Sequence, residues 1–253
     1  MGTSSSSKGP GSKSPLVPPH ADADPQKPLP EPEGQRFRGF RTEFGRAAAG
    51  GGVATLKSAL GKYARDATQG AAVGPRRFGP AYTSGATLAQ ALAELGAGGS
   101  GQTATGVDLS RLVGQPLDVA AQEIARALAP ANADADQITA AIQEALAEAL
   151  PDAELFDPAS ISADQLVQIL VEFFSRILFQ EITSTAGDAW NKAPDAQHAT
   201  QTEADLLELV RVIVDKHMSP RFAQGLKNLS RDQIAALERA AIDEVWREWE
   251  SYQ

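Results

Sequence analysis

Apolar positions recur along this chain at three- and four-residue intervals, and no segment alternates with the two-residue period of a strand. Phe37, Phe40 and Phe44 share one helical face, and Val53, Leu56, Leu60 and Tyr63 form a second stripe. A short helix is expected around 86–95. Leu117, Ala121, Ile124, Ala125 and Leu128 predict a helix ended by Pro130, and 135–150 predicts another between the capping candidates Asp134 and Asp136 and the stop at Pro151. Ser162 with Gln165 is a capping box ahead of the widest apolar face, which runs from Leu166 through Phe173, Phe174 and Ile177 to Ile182 and should be the central helix. Thr202 is expected to open the next helix, and Ser230 with Gln233 to cap the last, 234–252. The pattern predicts an all-α fold, an irregular helical bundle of about seven helices.

The first 34 residues carry no such pattern. They are rich in Ser, Gly and Pro, and so little apolar surface cannot offset an ordering entropy of roughly 1–2 kcal/mol per residue. A disordered N-terminal tail over 1–34 is therefore expected. Charge divides the remainder. Residues 1–100 hold 12 Lys/Arg against 7 Asp/Glu, whereas 101–253 hold 11 against 25, within a net charge of −9. This suggests a basic, Gly-rich helical segment over 35–100 and an acidic helical bundle over 101–253, with two binding faces or two parts that attract each other.

Several function classes lose support. Cysteine is absent, which removes disulfides, thiolate nucleophiles and thiolate metal sites. His20, His198 and His217 are far apart and form no ligand pair at helical spacing. No P-loop occurs, no GxGxxG follows a strand, and GAGGSG at 96–101 lies between helical patterns and reads as a linker. No nucleophile, base and orienting group assemble from these residues. A catalytic role, a metal and a cofactor are accordingly not expected. With no signal peptide and no apolar run of about 20 residues, the chain reads as soluble and cytoplasmic, without a membrane partner.

Two features could carry a function. Gly2 follows Met1 directly, and a residue this small lets aminopeptidase remove the initiator and leave a free glycine amine. Thr3, Ser4, Ser5, Ser6 and Ser7 stand behind it. A bare glycine on a flexible leash suits an enzyme that takes the amine into its active site, although the same residues also suit an ordinary surface tail. The second feature is basic. Arg36, Arg38 and Arg41, then Arg76 and Arg77 beside Phe78, interleave cations with aromatics. They could contact nucleic acid, pair with the acidic half, or meet a partner protein, and the protein-facing role is favoured. Trp246 and Trp249 could anchor a partner or finish the core.

The segments MGTSSSSKGPGSKSPLVPP, RFRGFRTEF and LKSALGKYARDATQGAAVGPRRFGPAYTSGATLAQAL together resemble the QatB family, small accessory proteins of the bacterial Qat anti-phage system. The resemblance is most specific over 1–92; across the acidic half it rests on helical pattern. It implies three protein partners: an ATPase, a QueC-like enzyme and a TatD-like nuclease. QueC-type enzymes use ATP to turn the carboxylate of a 7-deazaguanine into a nitrile. The resemblance thus implies a QueC-like modifying enzyme that activates such a carboxylate and passes it to an amine. The Gly2 amine, with an ordinary pKa near 7.7–8.0, is a far better nucleophile at neutral pH than a lysine near 10.4.

Overall fold

Capping decides where the longest helices begin. The Ser162 amide donates to Gln165 Oε1 at 2.9 Å while the Gln165 amide donates to Ser162 Oγ at 3.2 Å. Ser230 and Gln233 repeat the exchange at 2.8 and 3.3 Å, so both capping boxes form as the sequence predicts. In the computed structural model, which describes residues 8–11, 13–102, 106–226 and 228–253, these boxes open α6 (Ala163–Ala186) and α8 (Arg231–Glu250). The other helices are α1 (Phe37–Arg46), α2 (Gly52–Lys62), α3 (Gly79–Gly96), α4 (Leu117–Leu128), α5 (Ala135–Ala149) and α7 (Ala196–Met218). Among the described residues there is no strand, only an isolated antiparallel bridge between Pro116 and Leu155. The all-α expectation holds.

Two helix starts differ: α3 opens at Gly79, well ahead of the 86–95 stretch, and α7 also opens early. Helix α7 opens six residues before Thr202, because Asp195 accepts the His198 amide at 2.9 Å and supplies the cap. The Thr202 hydroxyl instead donates back to His198 O at 2.8 Å from within the helix.

The chain forms two compact units. One comprises 1–78, 178–213 and 242–253, the other 79–177 and 214–241. Both are discontinuous in sequence and cut across the contiguous division at 34 and 100 that composition suggested. Composition reads runs along the chain, whereas α6, α7 and α8 each contribute residues to both units.

The first unit is built on aromatic rings. Phe40 meets Phe44 and Tyr63 at centroid distances of 5.6 and 5.2 Å, and Trp246 lies 5.6 Å from Phe78 and 5.0 Å from Trp249. Trp246 and Trp249 are fully buried, and the indole N–H of Trp246 donates to Thr68 Oγ1 at 2.9 Å. The structure thus resolves the choice for both tryptophans: they finish the core. Arg65 donates to Glu250 O and Tyr252 O at 2.5 and 2.6 Å, placing a cation on the carbonyl-rich end of α8.

The second unit centres on α6, where Phe173 and Phe174 are fully buried and Phe174 stacks on Tyr82 at 5.7 Å. Helix α8 adds Glu238 to this core. Its side chain is fully buried, and neither carboxylate oxygen has a hydrogen-bond partner. Room for the group comes from Gly85, where a Cβ would lie 2.8 Å from Glu238 Oε1 and 3.1–3.2 Å from the two phenylalanine rings. Burial pushes the Glu238 pKa well up, since the apolar surroundings penalise the charged form.

The folded state therefore holds a proton that the unfolded chain releases above pH ~4.3. Stability from this group is fully present below that value and falls as pH rises toward the folded pKa. Glu238→Met should stabilise the protein by about 1–3 kcal/mol at pH 7 and flatten the decline above pH ~4.3. Urea unfolding followed across pH checks this; a variant no more stable than wild type at pH 7 contradicts it.

Candidate functional site

The described residues of the N-terminal segment bear no helix or strand, as its composition leads one to expect, yet they are fastened within the first unit. Three arginines do the fastening, mostly through backbone carbonyls, an acceptor that every residue offers. Arg41 on α1 donates from Nη2 to Pro10 O at 2.8 Å and from Nε to Thr185 O at 2.9 Å. Arg36 donates from Nη2 to Ser14 O and Pro15 O at 2.8 and 3.1 Å, and its guanidinium lies 4.5 Å from the Phe37 ring centroid. Burial, and then the neighbouring charge of Arg77, lower the Arg36 pKa.

Arg76 makes the densest set. Its Nε and Nη2 form a two-pronged bond to the Asp22 carboxylate at 3.0 and 2.7 Å. Nη2 also donates to Asp24 O and Lys27 O, both at 2.7 Å, and Nη1 reaches Pro28 O at 3.4 Å. The Ala23 amide closes the loop by donating to Arg76 O at 2.8 Å. The Arg76 and Asp22 side chains are 4 % and 9 % exposed, and the Asp22 bond raises the Arg76 pKa. Between these clips, Leu16 and Val17 bury against Val73.

The first described residue of the strap is Lys8. There the backbone crosses Gly187 (φ +51°) so closely that a Cβ at 187 would stand 2.6 Å from Lys8 O. Gly9 (φ +68°) leaves no room for a Cβ beside Arg41 Nη2. Each position needs glycine for both its backbone conformation and its close approach.

Of the residues singled out in the sequence, the structure gathers Arg36, Arg41, Arg76, Arg77 and Phe78 in the first unit but turns most of them inward. Arg36, Arg76 and Phe78 are buried, so they offer no outer surface to nucleic acid or to a partner. Arg77 pairs with Glu181 at 2.6 Å, an acidic-half residue, as the internal-pairing alternative anticipates. Arg38 is exposed, donating to Gln35 Oε1 at 3.2 Å. Gly2, Thr3, Ser4, Ser5, Ser6 and Ser7 lie outside the described residues. Sequence reasoning missed Asp22, which meets the Arg76 fork; the available signal was an acid pair, Asp22 and Asp24, in a Pro-rich segment ahead of an arginine-rich one.

A groove of about 710 Å³ lies beside Lys8, lined by residues of α1 and of the turn at Gly187–Lys192. Lys8, Arg38, Arg41, Arg46 and Lys192 line it, against the single carboxylate of Asp188. Among the described residues no group of three or more His, Cys, Asp or Glu is placed to hold a metal ion, and no helix is long and apolar enough to cross a membrane.

A family model described as Qat anti-phage system associated protein QatB matches residues 70–248. The chain belongs to the QatB family. No curated protein and no solved structure matches it. Membership makes the chain a component of the Qat anti-phage system. The QatB match takes in the acidic half, where sequence motifs were least specific, and includes Arg76, Arg77 and Phe78. The strap precedes the matched range, although the arginine that holds it most firmly lies within.

Removing one member of a buried, hydrogen-bonded ion pair costs roughly 3–5 kcal/mol, and here that cost falls on attachment of the strap. Arg76→Ala should expose the Lys13–Ser14 bond to trypsin far faster than in wild type. Arg76→Lys, which keeps the charge without the fork, should restore only part of the protection. Equal cleavage rates in wild type and Arg76→Ala would show that Arg76 does not hold the segment.

Proposed function

We propose that this QatB-family chain is a non-enzymatic subunit of a cytoplasmic Qat defence complex whose N-terminal glycine is the substrate of a QueC-like partner. The observation that carries this reading is the strap. Pro10, Ser14 and Asp24 are clipped to the folded body by Arg41, Arg36 and Arg76, and Gly2 lies only six residue steps before Lys8 in the sequence. Such an arrangement supports presentation of a terminal amine near a defined surface without building a catalytic centre. The helical body then docks the partners that the family implies, an ATPase, the QueC-like modifying enzyme and a TatD-like nuclease.

The chemistry proposed for Gly2 is amide formation. The partner uses ATP to activate the carboxylate of a 7-deazaguanine as an acyl adenylate, releasing pyrophosphate. The unprotonated Gly2 amine attacks the acyl carbon, AMP leaves, and the nitrogen gives up one proton. Thr3 to Ser7 lie extended in the partner's channel during the step.

The competing reading, an adaptor that presents DNA or RNA to the nuclease through residues 36–77, is less favoured. Phosphate contact needs accessible cations, whereas Arg36 and Arg76 are buried and Arg77 is paired with Glu181.

Intact mass of the chain, expressed with and without its Qat partners, tests the reading. The expected result is loss of Met1 and a further mass gain on Gly2 only when the QueC-like enzyme is present. Gly2→Glu should retain Met1, show no gain, abolish phage protection and leave thermal stability unchanged. Protection by Gly2→Glu equal to wild type would overturn the proposal.

A further inference from the structure

Gly2 stands close to Lys8 in the sequence. Five residues lie between them, and the six residue steps from Gly2 to Lys8 span no more than roughly 20–22 Å even when fully extended. If Gly2 is the substrate, as proposed above and as this inference assumes, the modifying active site must come within that distance of Lys8. With Thr3 to Ser7 occupying the partner's channel, most of the leash lies inside the partner. The partner's outer surface then rests on whatever surrounds Lys8.

What surrounds Lys8 is the basic groove. Residues of α1 and of the turn at Gly187–Lys192 line it, with the small residues Gly45, Ala49 and Ala189 among them. The strap consumes one of the lining cations, since the Arg41 guanidinium is bonded to Pro10 O and Thr185 O. Arg46 is partly balanced by Glu43 at 3.0 Å. Arg38 and Lys192 are exposed and line the groove beside Lys8. The groove is thus a small, open, net-positive concavity on a chain of net charge −9, and its position is fixed relative to the leash by the crossing of Lys8 over Gly187.

We propose that this groove is the docking surface for the enzyme that acts on Gly2, and that it receives an acidic lip beside that enzyme's channel mouth. Opposite charges across such a rim steer encounter and set orientation. A groove lined by five cations against the one carboxylate of Asp188, with the small residues Gly45, Ala49 and Ala189 among its lining, suits a protruding carboxylate-bearing loop. A nucleic-acid duplex would instead need a continuous row of phosphate contacts.

The test uses the full chain with the QueC-like partner and reads two things separately: capture of the partner and the rate of mass gain on Gly2. Arg38→Glu combined with Lys192→Glu should reduce both by about tenfold or more at low salt, with thermal stability unchanged. Asp188→Asn, the reciprocal change, should strengthen capture, and wild-type capture should weaken as salt rises. If wild type is modified and the double variant is captured and modified equally well, the docking surface is wrong while the Gly2 reading stands. If Gly2 is never modified, that reading fails, and loss of capture in the double variant still locates the interface. Salt-sensitive duplex binding by the wild-type chain, lost in the double variant, would overturn the proposal in favour of nucleic acid.

Discussion

Arg76 is an arginine almost wholly withdrawn from water, and most of what distinguishes this chain depends on how that charge is satisfied. A buried guanidinium costs several kcal/mol unless its donors are paired. Here its two-pronged bond to Asp22 and the carbonyls of Asp24, Lys27 and Pro28 supply the partners. Every one of those acceptors comes from the N-terminal segment. Arg76 is therefore stable where it is only if the strap is in place, and the strap, poor in apolar residues, has its densest set of bonds at Arg76. Arg36 and Arg41 extend the same dependence toward Lys8, and the buried trio of Leu16, Val17 and Val73 excludes water between them.

This arrangement links a compositional oddity to the functional proposal. A segment rich in Ser, Gly and Pro cannot fold for itself, but it can be carried by donors from a folded body because its carbonyls are unused by secondary structure. The body in turn is supported by the aromatic cluster of the first unit, in which Phe78, next to Arg77 in sequence, packs on Trp246. Fixing the segment as far as Lys8 sets how far a terminal amine can travel and which surface a partner must meet.

Much of the helical architecture was legible in the sequence. Ser162 with Gln165 and Ser230 with Gln233 announce their helices because capping needs particular side chains at particular spacing, and the apolar face containing Phe173 and Phe174 is too wide to be anything but core. Other features left little trace. Trp246 could have faced solvent or core, and only the long-range meeting with Tyr63, Thr68 and Phe78 decides it. The strap leaves no trace because bonds from arginine to carbonyl carry no signature at the accepting residue. The candidate site was legible as a set of arginines and illegible in direction: spacing shows that Arg36, Arg76 and Phe78 lie near aromatics, but not that they point inward. Glu238 looked like one more acid on a charged helix, and nothing local marks it as buried against Gly85.

Hydrogen exchange over residues 8–33 of the intact chain tests the central claim most directly. Four amides of the segment have backbone acceptors, those of Ser14, Ala21, Ala23 and Lys27, and that of Ala23 bonds to Arg76 O. A clipped strap predicts that peptides spanning 13–28 exchange much more slowly than an unstructured chain, with the Ala23 amide among the slowest. Exchange at the unstructured rate throughout 13–28, while peptides of α6 and α8 remain protected, would contradict it.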